Sequence, residues 1–214
     1  MSKKKRKYSK EVKETYDRLI DGFASLELDG ITIMTGSNGS GKSLIRKQLP
    51  FAMKERLDLD DAKETRGMIQ STSMDARTGS NPEMGALSGM MRDTDWFATS
   101  QNTLHSLDGL FDNGIGDKTK YIVIDEFEIG CGEETILALT QHINKKLKSL
   151  IKNKKIMGAM IITHSRLGVQ NLNHNEFINL DGMTEEEWLN REVVPTDLKK
   201  LKENELFYYI RDQK

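Results

Sequence analysis

The sequence contains little that would tie the chain to a membrane or to an oxidising compartment. Its single cysteine, Cys131, excludes an intramolecular disulfide and is typical of a protein from a reducing compartment. Its apolar runs are too short to span a bilayer, and its basic beginning leads into charged residues instead of the apolar region of a signal peptide. We therefore expect a cytoplasmic protein with no membrane segment.

The chain also has no large excess of positive or negative charge. The net charge is -1 and charged residues make up 30% of the 214 residues, so the chain as a whole has no electrostatic preference for nucleic acid. Residues 1–15 are a local exception, because this arm contains Lys3-Lys4-Lys5-Arg6-Lys7. Such an arm could hold the phosphates of DNA or act as an address label, but its terminal position favours a solvated tail. No group of histidines and cysteines has the spacing of metal ligands.

Glycines occur where a phosphate-binding loop is expected. The β-forming residues 31–34 run into a Gly-x-x-x-x-Gly-Lys-Ser pattern, and a helical pattern opens directly after it. This order is typical of a P-loop, in which backbone N–H groups and a helix N-terminus bind a triphosphate, whereas a simple glycine-rich turn would not require it. Lys42 is expected to reach the β- and γ-phosphates, and the Ser43 hydroxyl to bind Mg²⁺. The predicted phosphate-binding residues are Gly36, Ser37, Asn38, Gly39, Ser40, Gly41, Lys42 and Ser43.

Two carboxylates follow a second apolar run. Residues 121–124 are β-formers, and Asp125 and Glu126 come directly after them. A buried parallel strand delivers such acids to the carboxyl edge of a sheet, where ligands bind in α/β folds. We expect Asp125 to hold Mg²⁺ and Glu126 to act as the general base on an attacking water. The alternative is an acidic pair that caps a turn, and the upstream P-loop favours the catalytic interpretation.

A histidine follows a third run of this kind. Residues 156–162 are mostly apolar, and Thr163-His164-Ser165 come after them. His164 is therefore expected at the same sheet edge as Asp125 and Glu126, where it could contact the γ-phosphate. A lone histidine after a strand is more often structural, but three strand ends that converge on one site favour a catalytic role.

These runs predict an α/β fold of the P-loop NTPase type with a mainly parallel sheet. Residues 23–28 and the turn Asp29-Gly30 predict an antiparallel hairpin before the P-loop strand. Pro50 is expected to stop or kink the P-loop helix, although apolar spacing suggests helix beyond it. Residues 133–151 have the strongest helical period, with acids at the start and lysines at the end.

Three of these segments together resemble the Walker A, Walker B and switch-histidine motifs of ABC-type ATPases, in the same order along the chain. They are residues 36–43, Ile122-Val123-Ile124-Asp125-Glu126 and Ile161-Ile162-Thr163-His164. The Asn38 form of the loop, the continuation Asp-Glu-Phe-Glu-Ile-Gly and the strand 177–180 before an Asp-Gly turn are similar to the soluble branch of that superfamily. The branch includes RecF-like, SMC-like and overcoming-lysogenisation-defect-type ATPase heads and short stand-alone ATPases of phage genomes.

The resemblance implies ATP and Mg²⁺ as ligands, ATP hydrolysis, and a homodimer that holds ATP between its subunits. Residues 68–70 predict a short strand that ends in a glutamine. The resemblance implies a Q-loop glutamine that contacts the nucleotide and the metal, for which Gln70 is the candidate. It also implies a signature loop before the Walker B strand, which appears here as Thr99-Ser100-Gln101 without glycines or as Leu87-Ser88-Gly89. The function implied is a nucleotide-dependent dimer or partner switch, with DNA or a protein as the candidate partner.

The predicted ABC-type ATPase domain covers residues 16–183, between the basic arm 1–15 and a helical extension 184–214. Within the domain, a small helical subdomain is expected at about residues 75–118, where only residues 102–111 have clear helical spacing. The extension begins with a capping box, Thr184-x-x-Glu187.

Two other functions stay open from the sequence. A P-loop nucleoside or nucleotide kinase has the same phosphate cradle, and Arg66, Arg77 and Arg92 could supply its closing lid. A nucleotide-gated binding module with little catalysis is favoured by the missing signature glycines. The candidates for stacking on an adenine ring are Tyr8, Tyr16 and Phe23.

Overall fold

Five strands form one parallel sheet in the part of the chain that the structure describes. The computed structural model describes residues 28–37, 40–60, 64–73 and 96–193. The strands are β1 Gly30–Thr35, β2 Ile69–Ser73, β3 Tyr121–Asp125, β4 Gly158–Ile162 and β5 Glu176–Asn179. Their order across the sheet is β2-β3-β4-β1-β5, and every neighbouring pair is parallel. The predicted α/β class with a parallel core is confirmed, and all five strands end at the same edge of the sheet.

Helices connect these strands. The α-helices are α1 Lys42–Arg56, α2 Trp96–Asp108, α3 Glu133–Lys152, α4 Arg166–Asn171 and α5 Glu185–Asn190. A 3₁₀-helix, Glu64–Met68, precedes β2, and a π-helix, Gly109–Asn113, continues α2. The predicted helix at residues 133–151 is confirmed, because the apolar stripe that includes Ile136, Ile143 and Leu147 is buried. None of the helices in the described ranges combines the length and apolar character needed to cross a membrane.

The sheet is covered on both faces, which explains why its central strands are apolar without alternation. One face packs Ile33, Ile122 and Ile161 against α2, α3, α4 and α5. The other face packs Met34, Val123 and their neighbours against α1. Successive side chains of a strand point to opposite faces, so both sets must be apolar in a strand with a helix layer on each side.

The close packing of β1 against β4 requires a glycine at the start of β4. A Cβ atom added to Gly158 would overlap the carbonyl oxygens of Leu28 and Gly30. Gly30 pairs with Gly158, and its N–H donates to the carbonyl of Met157 at 3.1 Å. The β1 strand, which leads into the predicted phosphate-binding loop, is therefore held at its beginning by backbone contacts that leave no room for a side chain.

Two predictions for the N-terminal half differ from the structure. Leu28 and Asp29 lie outside any strand and the described sheet is entirely parallel, so the antiparallel hairpin is not seen there; residues 23–27 lie outside the described residues. Helix α1 continues through Pro50. Proline in a helix interior costs about 3 kcal/mol. Leu49 and Met53 on its two sides are fully buried, and each such side chain contributes roughly 1.5–3 kcal/mol, so their burial offsets the cost.

Helix α2 begins at Trp96 and includes the predicted helical residues 102–108. The sequence Thr99-Ser100-Gln101 is therefore part of the helix and not a loop before it. Other predictions concern residues outside the described ranges. These are the basic arm 1–15, Tyr8, Tyr16, Phe23, Leu87-Ser88-Gly89, Arg77, Arg92 and the end of the C-terminal extension at 194–214.

Candidate active site

The segments that carry the predicted catalytic residues begin at the same height along the strands of the sheet. Met34 of β1 pairs with Ile162 of β4, and Ile162 pairs with Asp125 of β3. The loop before Lys42, the Asp125-Glu126 pair and the Thr163-His164 segment therefore begin side by side at the carboxyl edge. The structure brings together three segments that lie far apart along the chain.

The loop that is predicted to bind phosphate turns at positions that require small residues. Gly36 has φ +155° and Gly41 has φ +105°, values that side chains rarely permit. A Cβ atom on Gly36 would meet the Ser40 hydroxyl, whose oxygen is buried and has no hydrogen-bond partner among the described residues. The N–H of Ser40 donates to the carbonyl of Ser37 at 3.1 Å. Asn38 and Gly39 lie outside the described residues, and Ser43 lies in the first turn of α1.

Lys42 is surrounded by acids at this edge. Its Nζ atom donates to the carbonyl oxygens of Gly36 and Ser37, both at 3.0 Å. Burial lowers the pKa of Lys42, and four carboxylates act against that lowering. In decreasing order of effect they are Glu126, Asp181, Asp125 and Glu128. Lys42 thus carries a positive charge close to Asp125 and to the acids that follow β3 and β5.

Glu126 and His164 face each other across the ends of β3 and β4. Glu126 has φ +54°, a left-handed conformation that costs a non-glycine residue roughly 1–2 kcal/mol. Its N–H donates to the carbonyl of Ile162 at 2.8 Å, which fixes the turn. His164 Nε2 lies 3.2 Å from Glu126 Oε1, although their orientation is not that of a hydrogen bond.

The surroundings of His164 disfavour its charged form. Burial lowers its pKa, and the positive charges of Lys42 and Arg191 lower it further, while Asp181 acts in the opposite direction. A histidine that titrates below its usual pKa is uncharged at neutral pH and offers one N–H donor.

Two acids that we did not predict as site residues also belong to this edge. Asp181 follows β5 and accepts two hydrogen bonds from Ser37, from the N–H at 2.7 Å and from the hydroxyl at 2.9 Å. Glu128 lies in the turn after Glu126 and accepts the His164 N–H at 2.6 Å. Burial raises the pKa of Glu128. Asp181 was recognisable only as part of an Asp-Gly turn, and Glu128 only by its position two residues after Glu126.

Gln70 is not at this edge. Strand β2 continues to Ser73, so the prediction that it ends at Gln70 is wrong. Gln70 pairs with Ile122, whereas Ser73 pairs with Asp125. At a rise of about 3.3 Å per residue, the Gln70 backbone lies about 10 Å before the strand ends. The register therefore gives no support to the prediction that Gln70 binds the nucleotide or the metal.

The residues present fit a triphosphate with Mg²⁺. The described residues contain no group of three or more His, Cys, Asp or Glu side chains arranged to hold a metal ion by themselves. Magnesium in phosphate sites usually keeps several waters and takes one or two protein ligands together with the phosphates. Asp125 and Ser43 would be those ligands. The Ser40 hydroxyl has no hydrogen-bond partner among the described residues, and the loop turns at Gly36 and Gly41, two features that a phosphate cradle would have.

The two hydrogen bonds that Ser37 donates to Asp181, called the clamp below, lead to a testable expectation for nucleotide affinity. Asp181→Asn removes a negative charge near Lys42 but keeps an acceptor for the Ser37 N–H, so Mg·ATP should bind about twofold to fivefold more tightly. Asp181→Ala removes the charge and the clamp, and it should bind about tenfold more weakly than Asp181→Asn. Isothermal titration calorimetry at two salt concentrations measures both. Equal affinities of the two variants would show that the clamp does not organise the loop.

No protein-family model matches this chain, and no curated protein matches it. The geometry of the site and the resemblance of the three motifs are therefore the basis for proposing a function.

Proposed function

We propose that this chain is an ATP-hydrolysing P-loop protein of the soluble ABC type, which acts as a nucleotide-dependent switch. One observation carries the proposal: Lys42, Glu126 and His164 lie within electrostatic reach of one another at the carboxyl edge of one sheet, with His164 Nε2 3.2 Å from Glu126 Oε1. A cation on a glycine loop, a carboxylate and a neutral imidazole are the groups needed to bind a triphosphate and direct water at its terminal phosphorus.

The loop and α1 supply the binding groups. Backbone N–H groups at the start of α1 attract phosphate oxygens, and the helix dipole adds to the attraction. Lys42 exchanges its contacts with the carbonyls of Gly36 and Ser37 for contacts with phosphate. Ser43 and Asp125 would hold Mg²⁺, which supplies positive charge against the developing charge on the phosphates. This charge is needed because four carboxylates surround Lys42 and would repel ATP alone.

Glu126 and His164 supply the chemistry. The carboxylate of Glu126 accepts a proton from the attacking water while the water oxygen bonds to the γ-phosphorus. The bond from the γ-phosphorus to the β–γ bridging oxygen breaks, and the products are ADP and phosphate. Neutral His164 donates an N–H to a terminal phosphate oxygen, and Lys42 stabilises the negative charge that develops between the phosphates.

A partner at the same edge is supported by exposed apolar side chains. Ile129, in the turn after Glu126, is 45% exposed, and Met183, after β5, is 36% exposed. The resemblance implies an ATP-dependent homodimer, in which a second subunit would cover this edge. Hydrolysis would then release the partner, so that the reaction serves as a switch.

The proposal is tested by following both binding and product. With Mg·ATP at 100 times its Kd, ligand binding should stabilise the folded protein by about 2.7 kcal/mol, and Lys42→Ala should lose most of this stabilisation. With ATP labelled on the γ-phosphate, the label should appear as inorganic phosphate. Transfer of the label to an added nucleoside or nucleotide would support a kinase instead. Binding without release of phosphate would support a gated binding module.

A further inference from the structure

We infer that Glu128 is the positioning residue for His164: its carboxylate holds the His164 backbone N–H and thereby fixes the imidazole against the Glu126 carboxylate. The inference rests on the proposed function for its catalytic consequence. The contact itself stands on the geometry of the turn after β3.

Two glutamates of one turn lie against His164. Its backbone N–H donates to Glu128 Oε1 at 2.6 Å, and its ring Nε2 lies 3.2 Å from Glu126 Oε1. The first contact is a hydrogen bond, whereas the second is a close approach without the orientation of a hydrogen bond. The hydrogen bond to Glu128 therefore ties the segment after β4 to the turn after β3, next to Glu126.

The Glu128 side chain accepts a hydrogen bond just beyond the point where the backbone pairing of β3 with β4 ends. Regular pairing of β3 with β4 ends at Asp125 and Ile162, and one further backbone bond joins the Glu126 N–H to the Ile162 carbonyl. Beyond that point Glu126 turns away with φ +54°, and its carbonyl accepts the Ile129 N–H at 3.3 Å within the turn. The next N–H, that of His164, donates to the Glu128 side chain.

A contribution to fold stability does not by itself explain why the Glu128 carboxylate is buried at this position. Glu128 Oε2 is buried and has no hydrogen-bond partner among the described residues, and the neighbouring Glu126 carries the same charge. A buried, incompletely paired acid beside another acid costs free energy. Such groups are concentrated at functional sites, where the cost is tolerated because the group orients a reacting partner.

The consequence for catalysis is a fixed distance between a base and a phosphate sensor. If His164 contacts the terminal phosphate and Glu126 activates the water, their relative position determines whether the water and the phosphorus are aligned. A displacement of about 1 Å can cost on the order of 10²-fold in rate. Loss of the Glu128 contact should therefore affect kcat more than nucleotide binding.

The test compares Glu128→Ala with Glu128→Gln, because glutamine keeps an oxygen that can accept the His164 N–H. We expect Glu128→Ala to lower kcat for ATP hydrolysis by about tenfold to a hundredfold with KM within about threefold of wild type. Glu128→Gln should retain at least roughly a third of the wild-type kcat, since the acceptor remains. Glu64→Ala, which removes an exposed glutamate in the 3₁₀-helix before β2, is the matched control and should behave as wild type.

A second measurement needs no nucleotide. Amide hydrogen exchange followed by NMR should show a protected His164 N–H in wild type and Glu128→Gln, and at least about tenfold faster exchange in Glu128→Ala. Unchanged protection in Glu128→Ala would overturn the contact. A wild-type kcat in Glu128→Ala, or equal losses of kcat in the alanine and glutamine variants, would overturn the positioning role. If wild type itself releases no phosphate, the proposed function fails while the exchange experiment still decides the contact.

Discussion

Replacing Glu126 with glutamine should lower kcat for ATP hydrolysis by a factor of about 10²–10⁴, the range expected for loss of a general base. Glutamine has the same shape but cannot accept the proton from the attacking water. ATP affinity should stay within about threefold of wild type, because the proposed phosphate ligands are Lys42 and the loop before it and not Glu126. Removal of one of the acids around Lys42 should favour the bound triphosphate slightly.

The measurement combines phosphate release, calorimetric binding of Mg·ATP and size-exclusion chromatography. If hydrolysis separates an ATP-bound dimer, Glu126→Gln should accumulate as a dimer in Mg·ATP and stay monomeric without nucleotide. Glu64→Gln, at an exposed glutamate outside the site, serves as the control. Phosphate release at the wild-type rate by Glu126→Gln would remove Glu126 from the role of general base.

Replacing Gly158 with alanine should lower the free energy of unfolding by about 3 kcal/mol or more, a large part of the stability of a typical domain. The added methyl group would overlap the carbonyl oxygens of Leu28 and Gly30, which belong to the backbone. Backbone atoms cannot turn away as a flexible side chain can, so β1 and β4 must separate. Because β1 leads into the phosphate-binding loop, ATP binding should weaken in the same variant.

Urea unfolding followed by circular dichroism measures the effect. Gly116→Ala is the matched control, because a Cβ atom at exposed Gly116 meets no atom within 4 Å. It should change stability by no more than about 0.5 kcal/mol. Equal stability of the two variants would contradict the account of how β1 packs against β4.

The central strands and the longest helix could be predicted because their signals are local. β1, β3 and β4 are apolar on both faces, so each appears in the sequence as a continuous run bounded by loop residues. Helix α3 has a clear helical period. The Thr184 capping box forms as predicted, with the Glu187 N–H donating to the threonine hydroxyl. Parallel strands also predict that Asp125 and His164 reach the same edge.

The contacts that the sequence did not reveal join distant residues. The Ser37 hydrogen bonds to Asp181 span 144 residues, and the His164 hydrogen bond to Glu128 spans 36. The hydrophobic periodicity of a sequence contains no information about which acid accepts a hydrogen bond from which donor across such separations. The end of β2 was misplaced for a related reason: residues 71–73 are Ser-Thr-Ser, and their strand conformation depends on pairing with β3. Helix α1 passes through Pro50 because buried neighbours outweigh a local preference.

The position of β1 within the sheet also determines when the protein can fold. This strand is the first of the described strands to be made, yet its two neighbours are β4 and β5: Gly30 pairs with Gly158, 128 residues later (158 minus 30), and Thr32 pairs with Glu176, 144 residues later (176 minus 32). Closing such long loops slows folding, and until then the largely apolar residues 31–34 have no strand partner and are open to aggregation. A nascent chain must therefore extend through β5, which ends at Asn179, before β1 can pair with both of its neighbours.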